Sequence, residues 1–166
     1  MERLRELLAS DERQTLAFFS IGLQDVCETP VSRQELLYHA SVLAHHAQVS
    51  TASVSDLPTP ANLTSVFDHF VCDASLPLDG HLLEAAGAQC LLLAGFFEDQ
   101  MRRRHNIRWF ADLGASFYCR AASLERSVPK ARLLGTVGRT FEVWRQRHAR
   151  LARELRSRQY LFGPSH

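Results

Sequence analysis

Long apolar runs are missing from this chain. The longest, CLLLAGFF from Cys90 to Phe97, falls far short of the roughly 20 residues that span a bilayer, so no membrane partner is expected. CxxC pairs are missing too. The four cysteines stand apart at 27, 72, 90 and 119, and a CxxC…HxxxH finger lacks its ligands. The opening segment MERLRELLASDER is charged throughout and has no apolar secretory core. Scattered cysteines without an export signal give the expectation of a reduced, cytoplasmic protein. Catalytic signatures are equally scarce: there is no GxSxG elbow, no Walker loop and no GxGxxG ahead of a helix. GTVG is a bare GxxG, which would matter only in a KH-type fold, and no strand-like alternation supports one. No solenoid-length repeat is present. The reading therefore leans away from an enzyme, nominates no catalytic residue and expects no cofactor.

What is present is a helical period in a chain of 166 residues, 46% apolar and 22% charged. That length and composition suit one globular domain with its own core. The formal charge of +1 gives no whole-protein steer toward nucleic acid or an anionic membrane. Leu16, Phe19, Leu23 and Val26 recur at helical steps. Ser10 or Asp11 is the expected cap of that helix, with a short helix over ERLRELLA before it and a stop at Pro30. Ser32 and Glu35 form a capping box, opening a helix whose face is Leu36, Ala40, Leu43 and Ala47. Residues 51–60 are rich in Ser, Thr and Pro and predict a loop. Thr59-Pro60 then starts a helix striped by Leu63, Val66, Phe67, Phe70 and Val71.

A long helix is predicted over 79–104, with a seam through Leu83, Gly87, Cys90, Ala94, Phe97 and Met101. The small residues of AAGA at 85–88 admit a close neighbour. Arg102, Arg103, Arg104 and His105 fall at its end, where cations meet the negative pole of the helix dipole. Asn106 suits a C-terminal cap or the next N-cap. A further stripe runs through Phe110, Leu113, Phe117, Ala121 and Leu124. Arg108 adds a guanidinium and Trp109 a stacking surface, so an anion or acidic-partner site stands beside the capping reading.

The last predicted helix spans 129–158, weakened or kinked at Gly135 and Gly138. Its seam is Leu134, Val137, Phe141, Trp144, His148, Leu151 and Leu155, a heptad pattern that suits a bundle helix or a short coiled coil. Arg139, Arg145, Arg147, Arg150, Arg153, Arg156 and Arg158 lie between or just beyond the seam positions. Residues 130–158 carry nine Lys or Arg and two Glu, whereas 1–129 carry ten and sixteen acids. The basic helix either packs on the acidic remainder or offers a surface to a partner. Glu98 and Asp99 are placed to pair at i,i+4 with Arg102 and Arg103. The eight histidines do not converge. His39 and His46 lie two turns apart, roughly 10 Å, and no ExxH pair occurs, so no metal is expected. His148 reads as a buried, hydrogen-bonded histidine or a pH-sensitive contact.

LAGFFEDQMRRR followed by WFADLGASFY resembles a segment of bacterial all-helical proteins without an assigned activity. Gly95, Phe96, Phe97, Arg102, Arg103, Trp109, Phe110, Gly114 and Tyr118 carry the likeness, which implies no function and no cofactor.

The expected fold is all-α, one domain over 1–166, a bundle of five to seven helices with a long basic C-terminal helix and a short tail over 160–166. The expected function is a non-enzymatic interaction or regulatory protein that docks a protein partner, or a second copy of itself, through a helical face. Phe141, Trp144, His148 and Leu151 are its candidate anchors. Arg102, Arg103, Arg104, Arg108, Arg145, Arg147, Arg150 and Arg153 are candidate contacts to an anion or acidic partner. The alternatives are nucleic-acid binding by the Arg-rich helix and a metal- or small-molecule-binding helical protein.

Overall fold

In a computed structural model the backbone is described for residues 2–52 and 79–161, and side chains for 12–48 and 79–157. Of the loop predicted at 51–60, Thr51 and Ala52 are instead the end of a helix, and Tyr160 and Leu161 of the tail predicted at 160–166 are likewise helical; 53–60, the helix predicted after Pro60 and the tail beyond Leu161 lie outside the described residues. Among those described, the chain forms seven α-helices and one π-helical turn, with no strand. The all-α expectation holds, and the described chain closes on a basic helix, Phe141–Leu161. The helices fall into two compact units, Met1–Thr59 and Pro60–His166.

In the first unit α1 (Glu2–Val26) packs against α2 (Arg33–Ala52). The sequence predicted a break at Ser10 or Asp11, but α1 runs straight through. Ser and Asp cost only a few tenths of a kcal/mol inside a helix, and no Gly or Pro stands there to end it. The helix ends at Val26, ahead of Pro30, where its stop was predicted. Ser32 caps α2 as predicted, its Oγ accepting from the Glu35 amide at 3.3 Å. Phe19, Leu23 and Val26 of α1 and Leu36, Ala40 and Leu43 of α2 are buried.

The second unit contains α3 (Gly80–Leu91), a π turn (Leu92–Phe96), α4 (Glu98–Met101), α5 (Ile107–Leu124), α6 (Val128–Arg139) and α7 (Phe141–Leu161). Asp79 caps α3 by accepting from the His81 amide at 2.9 Å. The small-residue patch admits α5: a β-carbon on Gly87 would lie 2.8 Å from the Tyr118 ring. The continuous helix predicted over 79–104 is interrupted. The Phe97 amide reaches the Leu92 carbonyl at 2.8 Å, one residue wider than an α-turn. Gly95 sits in this widened turn, and α7 seats directly on it. A β-carbon there would be 3.0 Å from both the Arg145 carbonyl oxygen and His148 Cβ.

The helix predicted over 129–158 is two helices. Thr140 leaves helical geometry, with φ −101° and ψ 17°. The two halves then serve different neighbours: α6 lies along α5, while α7 lies on the π turn. The apolar seam continues through the break and faces inward. Leu134, Val137, Phe141, Trp144, His148 and Leu151 are all buried, each at most 2% exposed. This corrects the docking-face expectation for Phe141, Trp144, His148 and Leu151. A fully buried side chain is core, and it cannot anchor a partner without opening the fold. Among the described residues no helix is long and apolar enough to cross a membrane.

Candidate interaction site

The RRRH stretch is where one helix ends and another begins. The Arg104 and His105 amides both bond the Met101 carbonyl, at 3.1 and 3.0 Å. Asn106 then caps α5, its Oδ1 accepting from the Trp109 amide at 3.3 Å. The turn projects its cations outward: Arg102, Arg103, Arg104, His105 and Arg108 are exposed. Trp109 is 48% exposed and holds its ring edge-on to Phe110 at 4.9 Å.

The arginines of α7 have a different fate. Glu98, just past the π turn, accepts from two of them and from Arg102. Its Oε1 takes Arg102 at 2.7 Å and Arg145 at 3.4 Å, and its Oε2 takes Arg153 at 2.9 Å. Asp99 takes Arg153 at 3.2 Å and Arg156 at 2.6 Å. Arg145 is further held by Glu142, with Nε to Oε2 at 2.8 Å, and it donates to the Ala94 carbonyl of the π turn at 3.3 Å. Four guanidiniums thus share three carboxylates.

The hydrogen bond from Arg153 holds the Asp99 carboxyl below its ordinary range, against a desolvation cost. The hydrogen bond from Arg145 does the same for Glu142. In turn Arg145 and Arg153 are held above the usual arginine value by their bonds to Glu142 and Asp99.

This network engages Arg145 and Arg153, two of the candidate contacts for an outside anion, with acids of their own unit. They pair with Glu98 and Asp99 of α4 and with Glu142, so the basic helix packs on acids of its own unit. Arg147 is also occupied, its guanidinium 4.6 Å from the centre of the Trp144 ring. Arg150 stays exposed on α7. The predicted Glu98–Arg102 pair forms. The pairing predicted for Asp99 with Arg103 is replaced by Arg153 and Arg156. In the 102–108 turn Arg103, Arg104 and Arg108 make no ion pair among the described residues, as is also true of the exposed Arg120, Arg126 and Arg132 elsewhere in the unit.

Beside that turn lies a cavity of about 700 Å³. It is lined by Glu98, Arg102 and Arg145 of the network, by His105, Asn106, Ile107, Arg108 and Asp112 at the start of α5, and by Glu142. Glu98 and Arg145 are its most enclosed charges, with side chains 11% and 12% exposed. The composition of the turn foretold its cations. The cavity was not foreseen, because its acids arrive from three separate segments.

Among the described residues no group of three or more His, Cys, Asp or Glu is placed to hold a metal ion. Comparison with family models, with curated proteins and with solved structures gives no match.

Proposed function

We propose that this chain is a non-enzymatic, cytoplasmic interaction protein that docks an acidic protein partner through the exposed turn from Arg102 to Trp109. The observation that carries this reading is the division of the arginines. Those of α7 are largely neutralised within the unit, whereas Arg103, Arg104 and Arg108 keep their charge beside a half-exposed tryptophan. Arginine and tryptophan are the residue types that dominate binding energy at protein interfaces. Cations on the rim also speed encounter with an acidic surface.

Nucleic acid is the competing ligand for the same cations. The ion pairs of Arg145, Arg153 and Arg156 weigh against it, because they remove much of the phosphate-neutralising charge of α7. Fluorescence anisotropy with a labelled acidic peptide, a DNA duplex and an RNA strand decides between them. The expected result is peptide binding that quenches Trp109 and is lost when Arg103, Arg104 and Arg108 become Gln. Tighter, salt-steep binding to the nucleic acids would replace the protein partner with a nucleic acid.

A further inference from the structure

We propose that the cavity beside the turn takes a single aspartate or glutamate carboxylate of the partner and discriminates against a phosphorylated residue. This rests on the reading of the turn as a docking surface for an acidic protein, and it names which acidic group the surface selects.

Two lining arginines have donors to give. Arg102 is 62% exposed in its side chain and has one carboxylate partner, Glu98. Arg108 has no ion pair among the described residues. A guanidinium carries five N–H groups, so each can accept a further carboxylate without surrendering what it holds. Arginine alone would also welcome a phosphate. The acids of the cavity decide otherwise.

Glu98, Asp112 and Glu142 line the same space as Arg102, Arg108 and Arg145, so the fixed charges balance. A volume of about 700 Å³ corresponds to a sphere about 11 Å across. A group at its centre would lie about 5–6 Å from the lining charges, inside the Debye length of ~8 Å at physiological salt, so their fields still reach it. A carboxylate brings one negative charge. A phosphoryl group brings about −1.5 to −2; Arg102 and Arg108 meet the first charge, and the excess falls beside Glu98, Asp112 and Glu142 with no further unpaired arginine in the lining to meet it. Size does not make the choice, since the space admits either group.

The test uses the full chain and three labelled peptides of equal length: alternating Glu and Ser, the same with phosphoserine for every Glu, and the same with Gln. Simple attraction to a basic surface ranks the phosphopeptide first, because it carries more charge. The cavity predicts the reverse, with the Glu peptide bound about threefold tighter than the phosphopeptide and the Gln peptide about tenfold weaker than the Glu peptide. Arg108→Gln should weaken the Glu peptide about tenfold. Asp112→Asn, at an exposed position, should remove or invert the preference over phosphoserine. Circular dichroism of both variants shows that they fold. A phosphopeptide bound more tightly than the Glu peptide, or a preference unmoved by Asp112→Asn, overturns the carboxylate pocket and leaves the docking surface standing. Binding of none of the three peptides overturns both.

Discussion

Gly114 stands where α3, α5 and the start of α7 meet, and replacing it with alanine tests that meeting point. A β-carbon there would lie 2.5 Å from Cys90 Cβ and 2.5 Å from Phe141 Cζ. Carbon atoms in contact prefer about 3.5–4.0 Å, so each contact is short by about 1 Å. Neither neighbour has an easy retreat. The Cys90 β-carbon is tied to the backbone of α3, and no rotamer moves it. Phe141 is 2% exposed and its ring packs beside Tyr118 at 6.2 Å. Removing a glycine from a helix interior stabilises by about 1 kcal/mol. Overpacking a closed core costs about 1–3 kcal/mol and occasionally more, and two short contacts against fixed partners put this site at the upper end. The net expectation is a loss of about 2 kcal/mol.

Urea unfolding followed by tryptophan fluorescence measures it, because both tryptophans, Trp109 and Trp144, belong to the second unit. The midpoint should fall while the slope stays constant. Gly80→Ala is the matched control. Its β-carbon would meet Leu124 Cβ at 3.7 Å, an ordinary contact, so stability should hold or rise slightly. A Gly114→Ala protein as stable as the parent would mean that α3, α5 and Phe141 do not converge as described.

Further outcomes follow from the same packing. Glu98→Gln should cost about 1–3 kcal/mol by removing the enclosed carboxylate that Arg102, Arg145 and Arg153 share, whereas Arg102→Gln, on an exposed partner, should change stability by less than about 0.5 kcal/mol in the same urea assay. Burial holds the imidazole of His148 down at about 3, while an unfolded histidine takes up its proton below about 6.5. Between those values the unfolded chain binds more protons, so stability falls as pH falls, by up to about 1.4 kcal/mol per pH unit; His148→Leu should flatten that slope. Asp99 is held below its ordinary range by Arg153, so its contribution is present above the unfolded carboxyl value and lost as pH falls through the folded one. Asp99→Asn should therefore soften acid unfolding, read by circular dichroism. Burial pushes the Cys90 thiol up and Cys119 is exposed, so native-state alkylation mapped by peptide mass should label Cys119 early and Cys90 only on unfolding.

The helical faces were legible because burial repeats along a helix with the period of the backbone. Leu83, Cys90, Ala94 and Met101 are all buried, as their spacing predicted. The capping box at Ser32 was legible because it is local. The misplaced boundaries have a common cause. Nothing within a few residues of Gly95 marks a π turn; what uses it is the close seating of α7, some fifty positions away. Thr140 breaks the basic helix where α6 and α7 part to different neighbours, while the heptad seam reads through unbroken. A seam also reads the same whether it faces a partner or its own core. That is why Trp144, 1% exposed, looked from its spacing like an anchor.

Charge is where the local and the long-range parts of this chain compete. Spacing alone pairs Glu98 with Arg102, and that pair forms. It would also pair Asp99 with Arg103, and there the tertiary partners win. Arg153 and Arg156 reach Asp99 from α7, two guanidiniums against one. An exposed i,i+4 pair contributes only about 0.3–0.5 kcal/mol, so losing it to a doubly bonded carboxylate costs little. The consequence falls on the turn. Each acid drawn toward α7 is one fewer to neutralise Arg103, Arg104 and Arg108. The packing that pairs much of the basic helix with acids of its own unit therefore leaves the short turn charged and accessible. Reversing that allocation is a direct test: with Arg153 and Arg156 both changed to Gln, Asp99 is released to Arg103, and the affinity of the turn for the Glu peptide should drop although no residue of the turn has changed.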